Sequence, residues 1–193
     1  MKKQPEIEFK SLLTKEEYLR LMEQFKGNRT NIQTNHYFDT PRFTLKAYEA
    51  SLRVRERDDF EITLKKKKQY SLMEYTVPIT KEQFEELKET GVVKDPDLLA
   101  ELTPLIGNQK VENFLSLQTY RMYLPYGNGI LFIDKSKYLG FVDYELEYEA
   151  KSYHQGKQEF IELINKLHIQ YKKSDKKIAR AFNAYKRITA EEE

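Results

Sequence analysis

Much of the chain alternates hydrophobic and polar residues with the period of two that is typical of β-strands buried on one face. Near the start, Ile7 and Phe9 alternate with charged residues, which predicts a first strand over residues 5–11. The same alternation predicts further strands over residues 32–40, 45–56, 60–65, 73–77, 115–124, 129–135 and 141–150. Turn-forming residues separate several of these segments, and Asp39 is expected to fix one turn, so we expect about eight strands in antiparallel hairpins.

Between the strands, apolar residues repeat every three or four positions, which predicts about five amphipathic helices. Two of them begin with the signature of a capping box, Thr14 with Glu17 and Thr80 with Gln83. The predicted helices cover residues 15–25, 81–90, 97–106, 156–167 and 175–188. The order of strands, helices, strands and helices indicates an α+β fold.

The charged faces of the strands refine this picture. In an ordinary sandwich such faces contact water, but here Arg and Glu stand at strictly alternating positions, and amphipathic helices are available to cover the apolar faces. A closed antiparallel β-barrel of about eight strands, forming a tunnel with a charged interior and with helices packed outside, accounts for both features. The chain has 193 residues and no stretch with the composition of a linker, so we expect a single domain over residues 1–193.

The composition excludes several classes of protein. Lys and Arg total 33 while Asp and Glu total 31, and the resulting net charge of +2 argues against nucleic acid or an anionic membrane as a partner. The absence of cysteine excludes disulfides and thiolate metal sites. The sequence has no apolar run long enough to span a bilayer and no apolar stretch typical of a signal peptide, so we expect a cytoplasmic protein.

The alternating charges form a basic and an acidic set, which need compensation if they project into one lumen, because buried unpaired ions are costly. Carboxylate oxygens suit Mg²⁺ or Mn²⁺, and arginine can bind two phosphate oxygens at once, which indicates polyphosphate. A metal ion with polyphosphate is the arrangement that phosphoryl transfer needs. The basic set is Lys10, Arg53, Arg55, Lys65 and Arg121, and the acidic set is Glu6, Glu8, Glu74, Asp134, Glu145 and Glu147.

The segment Glu6-Ile7-Glu8-Phe9-Lys10 resembles the ExExK signature of the CYTH domain, or triphosphate tunnel metalloenzyme, family. The resemblance extends to about Arg180 and is closest to the stand-alone bacterial members. ExExK alone arises often by accident, whereas an ordered set of segments is specific. The later segments are Tyr37-Phe38-Asp39-Thr40, Leu52-Arg53-Val54-Arg55, Thr63-Leu64-Lys65, Glu74, Arg121, Asp134, Glu145-Leu146-Glu147 and Ser174 to Arg180.

The resemblance implies a barrel whose lumen binds a triphosphate and a divalent metal ion, Mg²⁺ or Mn²⁺. It assigns catalysis to Glu6, Glu8, Lys10 and Glu147, triphosphate binding to Lys10, Arg53, Arg55, Lys65, Arg121 and Lys177, and metal binding to Glu6, Glu8, Asp134, Glu145 and Glu147. The closing lysine is Lys177 or Lys176, of which Lys177 has the better spacing to Arg180. Glu149 continues the alternation of Glu145 and Glu147, so the metal pair is either Glu145 with Glu147 or Glu147 with Glu149. Glu74 is a further candidate site residue.

Members of the family hydrolyse inorganic, thiamine or nucleoside triphosphates, and some cyclise ATP. We therefore expect a metal-dependent triphosphatase that acts on a small triphosphate, as a monomer or homodimer. One alternative is a class IV-type adenylate cyclase at the same site, for which the sequence offers no recognisable adenine pocket. The other is a non-catalytic module that binds polyphosphate, which would gain nothing from the acidic pair in the first strand.

Overall fold

The structure is a computed structural model that describes residues 1–68 and 71–191. Within these residues the chain forms nine strands and six helices, and none of these helices has the length and hydropathy needed to cross a membrane. The strands are β1 (Lys2–Pro5), β2 (Glu8–Leu13), β3 (Arg29–Asp39), β4 (Ser51–Glu56), β5 (Phe60–Lys68), β6 (Ser71–Ile79), β7 (Glu112–Tyr126), β8 (Gly129–Tyr138) and β9 (Phe141–Glu149). The helices are α1 (Lys15–Gln24), α2 (Thr44–Ala47), α3 (Lys81–Thr90), α4 (Pro96–Ile106), α5 (Tyr153–Lys166) and α6 (Lys177–Glu191).

The chain divides into two compact units. The first unit consists of Met1–Glu6 and Thr34–Ser116, and the second consists of Ile7–Gln33 and Leu117–Glu193. Strands β3 and β7 are long and contribute residues to both units. The single domain expected over residues 1–193 stays a prediction.

In the first unit, antiparallel strands lie in the order β1-β6-β5-β4-β3, and α3 and α4 contribute to the same hydrophobic core. Leu52 and Val54 of β4 are fully buried in this core with Leu98 of α4. Arg53 and Arg55 stand at the alternate positions of β4 and therefore project from its other face. The alternation in the sequence thus separates the core of this unit from its charged face.

In the second unit, antiparallel strands lie in the order β7-β8-β9-β2, and α1 and α5 supply side chains to their hydrophobic core. Leu21 of α1, Ile133 of β8, Leu146 of β9 and Leu163 of α5 are all fully buried there. At intervening positions, Asp134 of β8 and Glu145 and Glu147 of β9 are buried as well. Strands β8 and β9 are therefore buried on both faces, one apolar and one charged.

Both capping boxes predicted from the sequence are confirmed. Thr14 Oγ1 accepts a hydrogen bond from the Glu17 amide at 3.1 Å, and the Glu17 carboxylate accepts one from the Thr14 amide at 2.7 Å. The reciprocal bonds between Thr80 and Gln83 measure 3.2 and 2.8 Å. Local signals at the start of α1 and α3 were sufficient to place these helices.

The strand predicted over residues 45–56 is wrong in its first half, which contains α2. The Asp39 carboxylate accepts hydrogen bonds from the backbone amides of Thr40, Leu45 and Lys46 at 2.7, 2.8 and 3.0 Å. These bonds satisfy amides at the start of a short helix, in which Leu45 is completely buried. The expectation that Asp39 fixes a turn is confirmed, and the same carboxylate explains why the helix replaces the predicted strand.

The first strand, predicted over residues 5–11, is interrupted at Glu6 and Ile7. As a result β1 pairs with β6, while β2 pairs with β9. Among the residues that the structure describes, β1 and β2 each have one neighbouring strand, so the hydrogen bonding does not close the predicted barrel. The α+β class and the antiparallel pairing are confirmed, and the interruption helps to explain why nine strands are described where about eight were predicted.

Candidate functional site

In the second unit, the register of the antiparallel strands brings charged residues from four strands onto one face. Arg121 of β7 lies opposite Asp134 of β8, and Asp134 lies opposite Glu145 of β9. Lys10 of β2 lies opposite Glu147, which is two positions beyond Glu145 on β9. Residues directly opposite each other, or two apart on one strand, share a face. Positions that are far apart in the sequence therefore meet.

Asp134, Glu145 and Glu147 form a carboxylate cluster in which one oxygen of each residue lies within 4.8 Å of the others. All three residues are buried, and Asp134 and Glu145 are completely so. Buried like charges at this separation repel and need cations. Arg121 supplies one: its Nε and Nη2 donate to the two oxygens of Asp134 at 2.7 and 2.5 Å, and Nη2 also donates to Glu147 at 2.6 Å.

Lys177, the first residue of α6, supplies a second cation to the carboxylate cluster. Its Nζ lies 2.9 Å from Asp134 Oδ2, 2.5 Å from Glu145 Oε1 and 2.5 Å from Glu147 Oε1. Lys176, the alternative that the sequence left open, is exposed. Of the two lysines, Lys177 therefore has the geometry expected of the closing lysine.

Arg180 anchors a network that reasoning from the sequence did not include in the site. Its Nε and Nη2 donate to the Asp143 carboxylate at 2.8 and 3.2 Å, and its Nη1 donates to Glu145 Oε2 and to Ser174 Oγ, both at 2.7 Å. The Ser174 hydroxyl also donates to Glu145. Because Asp143 stands two positions before Glu145, the strand alternation carried a signal for it, whereas the reach of Arg180 depends on tertiary structure.

Burial and these ion pairs set the pKa values of the cluster. Burial alone would raise the pKa of Glu147, but Lys177 and Arg121 outweigh it and hold that pKa well below its usual range. Burial holds the pKa of Glu145 above its usual value, against the attraction of Lys177 and with the help of the nearby Glu147 charge. Burial would lower the pKa of Lys177, yet the carboxylates of the cluster raise it. Glu147 and Lys177 are therefore held in their charged forms.

The carboxylate cluster fits a hard divalent cation. Its donors are oxygens only, they are buried, and they converge within 4.8 Å, which suits Mg²⁺ or Mn²⁺. Of the other predicted metal ligands, Glu8 lies on the same unit and forms an ion pair with Lys10. Glu6 belongs to the first unit, where it forms an ion pair with Lys65. The fit to a cation thus rests on the three clustered residues.

In the first unit, the register collects charges on one face of β4, β5 and β6. Lys65 of β5 lies opposite Glu74 of β6, and its Nζ is 2.5 Å from Glu74 Oε1. The same ammonium group contacts Glu6, and Arg53 Nη2 lies 4.0 Å from Glu74 Oε1. Arg53, Arg55 and Lys65, with Glu6 and Glu74, form what we call the basic cluster. Burial alone would raise the pKa of Glu74, but Lys65 and Arg53 lower it to about 2.

Arg53 carries the clearest sign that the basic cluster suits an anion. Its side chain is 13% exposed, and its buried Nε has no hydrogen-bond acceptor among the described residues. Nearby Arg55, by contrast, donates from Nη1 to Glu61 at 3.0 Å. A buried donor without an acceptor is rare in proteins, and phosphate oxygens are acceptors that match the fork of a guanidinium group.

The structure places Asp134, Glu145 and Glu147 in the carboxylate cluster, which Arg121 and Lys177 contact, and Glu6, Arg53, Arg55, Lys65 and Glu74 in the basic cluster. Glu8 and Lys10 form an ion pair in the second unit. Glu149 is exposed while Glu145 and Glu147 are buried, which is the geometry of the first of the two possible metal pairs. Lys176 is exposed as well. The functional roles of all these residues stay predictions.

A model of the CYTH domain family matches residues 4–182 of this chain. A protein of Bacillus subtilis (strain 168), YjbK, whose name describes it provisionally as a triphosphatase, is 33% identical over 190 residues. That match covers 94% of this chain and 96% of the relative.

Solved structures with a similar fold include a crystal structure from Bacillus halodurans, provisionally described as an adenylate cyclase. It has a TM-score of 0.89 and 33% identity, and the match covers 94% of this chain and 100% of that one. Another is HpAC1 from Hippeastrum, provisionally an adenylyl cyclase and described as having a dominant triphosphatase activity. Its TM-score is 0.70 with 21% identity over 90% of this chain and 93% of that one, a likeness that supports the fold alone.

Proposed function

Because this chain belongs to the CYTH domain family, we propose that it is a divalent-metal-dependent triphosphatase. Its substrate on this proposal is inorganic triphosphate or a small organic or nucleoside triphosphate. The observation that carries the proposal is the carboxylate cluster of Asp134, Glu145 and Glu147, which is buried, contains only oxygen ligands and is flanked by two cations. The provisional name of the relative at 33% identity, a triphosphatase, supports the same function.

We also propose that the strands close into a barrel whose charged interior is the triphosphate tunnel, with the helices outside. What supports closure is connectivity: only Glu6 and Ile7 separate β1, which pairs with β6, from β2, which pairs with β9. A kinked first strand of this kind can serve as the neighbour of both. A single domain, a cytoplasmic location and a monomeric or homodimeric state belong to the same proposal.

In the proposed reaction, basic residues hold the phosphate oxygens and carboxylates hold the cation. A water molecule attacks the terminal phosphorus, the bond to the bridging oxygen breaks, and the shortened phosphate chain leaves with that oxygen. When bound, Mg²⁺ or Mn²⁺ would neutralise negative charge on the phosphate oxygens. The phosphate-binding residues are Lys10, Arg53, Arg55, Lys65, Arg121 and Lys177, and the cation ligands are Asp134, Glu145 and Glu147, with Glu6 and Glu8 as further candidates.

A second candidate function is cyclisation of ATP to cyclic AMP at the same site. It is favoured by the Bacillus halodurans structure, which is provisionally described as an adenylate cyclase and is 33% identical to this chain. In that reaction the ribose 3′-hydroxyl attacks the α-phosphorus, and pyrophosphate leaves. Both reactions require the triphosphate to be bound at the same site, so analysis of the products distinguishes them.

The test is a phosphate-release panel with inorganic triphosphate, thiamine triphosphate, ATP and GTP, each with Mg²⁺, with Mn²⁺ and with EDTA. We expect metal-dependent phosphate release from at least one of the four. The ATP reactions are also assayed for cyclic AMP and pyrophosphate, whose formation without phosphate release would replace the hydrolase with the cyclase. Tight triphosphate binding with neither product would contradict both and identify a binding module.

A further inference from the structure

The ammonium group of Lys177 occupies the centre of the carboxylate cluster. Its three partners, Asp134, Glu145 and Glu147, are the three residues whose oxygens converge within 4.8 Å. An ammonium group has three donors, and here one carboxylate stands within 3 Å for each of them. The lysine side chain is only 12% exposed, so this is a buried contact within the second unit.

We propose that Lys177 is a placeholder for the divalent cation, so that metal binding at the carboxylate cluster requires its ammonium group to withdraw. This inference rests on the proposed function, because it concerns the same cation site. It adds a regulatory element that neither the motif nor the family match assigns: one residue of this chain and the cation compete for the same oxygens.

Competition follows from geometry and from charge. A Mg²⁺ ion binds carboxylate oxygens at about 2.0–2.1 Å, so it cannot share the centre of the cluster with an ammonium group that touches the same oxygens. Two cations at that separation in a buried site also repel each other strongly. Conversely, without a cation at the centre the three carboxylates would be costly to bury, and Lys177 offsets that cost.

The anchoring of the neighbouring chain indicates that only a side chain has to move. Arg180 Nη1 donates to Ser174 Oγ at 2.7 Å and to the carbonyl of Asp175 at 2.5 Å, which holds the segment before α6 independently of Lys177. A lysine has four flexible methylene groups, so its ammonium group can withdraw while the backbone stays in place. Once withdrawn, it becomes available to a phosphate oxygen, the role expected of the closing lysine.

The first test measures Mn²⁺ affinity by titration calorimetry in the absence of triphosphate. Lys177→Met removes the competing charge and keeps much of the side-chain length, and we expect it to bind Mn²⁺ at least about tenfold more tightly than wild type, the scale on which one nearby charge shifts the ionisation of a buried group. Lys173→Met, at an exposed lysine of the same segment, is the matched control and should bind as wild type does. Unchanged or weaker binding by Lys177→Met, including no binding by either protein, overturns the proposal.

A second measurement uses the wild-type chain and does not depend on the folding of a variant. An amine-reactive acetylating reagent is applied with EDTA and with saturating Mn²⁺, and each lysine is quantified by mass spectrometry. We expect labelling of Lys177 to rise by about tenfold with Mn²⁺, on the same charge scale, while labelling of Lys173 stays constant. Equal labelling of Lys177 in both conditions overturns the exchange. Neither readout needs turnover, so a chain that binds metal without hydrolysing triphosphates would refute the proposed function alone.

Discussion

The two charged clusters of this chain are built from the same residue types but arrange them differently. In the carboxylate cluster three acidic residues converge within 4.8 Å, and the cations approach them from β7 and from α6. In the basic cluster, acids and bases alternate, with the Lys65 ammonium group contacting both Glu6 and Glu74. Like charges concentrated at one point create a site for an ion of opposite charge, whereas alternating charges largely neutralise one another.

The difference teaches which ligand each cluster suits. The carboxylate cluster relies on Lys177 and Arg121 to offset buried negative charge, a task that a divalent cation performs with fewer groups. The basic cluster instead contains Arg53, whose buried Nε has no acceptor within the part of the chain that the structure describes. The carboxylate cluster therefore favours a cation and the basic cluster an anion, and a metal-dependent triphosphatase is expected to need both kinds of site.

The largest effect is expected from removing one charge of the carboxylate cluster. Glu147→Gln keeps the shape of the side chain but removes a proposed cation ligand, and we expect triphosphate turnover to fall by at least about a thousandfold, because a bound metal contributes several kcal/mol to stabilising the transition state. The measurement is phosphate release at saturating Mn²⁺, with circular dichroism to verify folding. Glu162→Gln, an exposed residue of α5, is the control.

Glu149→Gln decides between the two metal pairs that the sequence left open. We expect it to change turnover by less than about tenfold, the effect of one pKa unit or 1.4 kcal/mol, because Glu149 is exposed whereas Glu145 is buried in the cluster. A loss comparable with that of Glu147→Gln would place the metal pair at Glu147 and Glu149.

The next effect concerns stability and would show how strongly the second unit depends on its cations. Arg180→Ala removes the guanidinium group that pairs with both Asp143 and Glu145, and we expect the free energy of unfolding to fall by about 3–5 kcal/mol, the usual cost of breaking a buried ion pair. Denaturant unfolding measures it, with Arg187→Ala as an exposed control on the same helix. A loss below about 1 kcal/mol, typical of surface pairs, would show that Arg180 contributes no more than an exposed residue.

The same contrast explains how much the sequence could reveal. The acidic alternation of Glu145 and Glu147 and the capping box at Thr14 are local patterns, so their strand and helix were predictable. The short helix α2 was not predictable in this way. It depends on hydrogen bonds from the amides of Leu45 and Lys46 to Asp39, which lies several positions earlier, whereas strand periodicity relates residues only two positions apart.

The site divides in the same way. The ordered motif identified Lys177 as a candidate, but only the fold places its ammonium group among three carboxylates from β8 and β9. The Arg180 network joins α6 to Asp143 on β9, a contact that no spacing encodes. Sequence patterns therefore fix which residues share a strand face, and tertiary contacts decide which helix residues meet that face.

The basic cluster should make stability depend on acidity. The pKa of Glu74 is lowered from 4.5 to about 2 in the folded chain, so its stabilising contribution is fully present above pH 4.5 and is lost as the pH falls towards 2. A shift of this size corresponds to about 3 kcal/mol. Denaturant unfolding between pH 7 and pH 3 should show wild type losing stability more steeply than Glu74→Gln, with exposed Glu89→Gln following wild type. Parallel curves for wild type and Glu74→Gln would contradict the pairing with Lys65.

A smaller effect than that at Glu74 is expected from Arg53, and it most directly tests whether the basic cluster binds an anion. Arg53→Ala should raise KM for the triphosphate by about tenfold and leave kcat less affected, because the loss of one guanidinium contact weakens substrate and transition state alike. Arg53→Lys keeps the charge but not the fork, so a KM close to that of Arg53→Ala would show that two-point contact matters more than charge. Exposed Arg42→Ala is the control within the first unit. If Arg53→Ala leaves KM unchanged, its Nε, which has no acceptor among the described residues, binds no substrate. The basic cluster would then not be an anion site, and the contrast with the carboxylate cluster would fail.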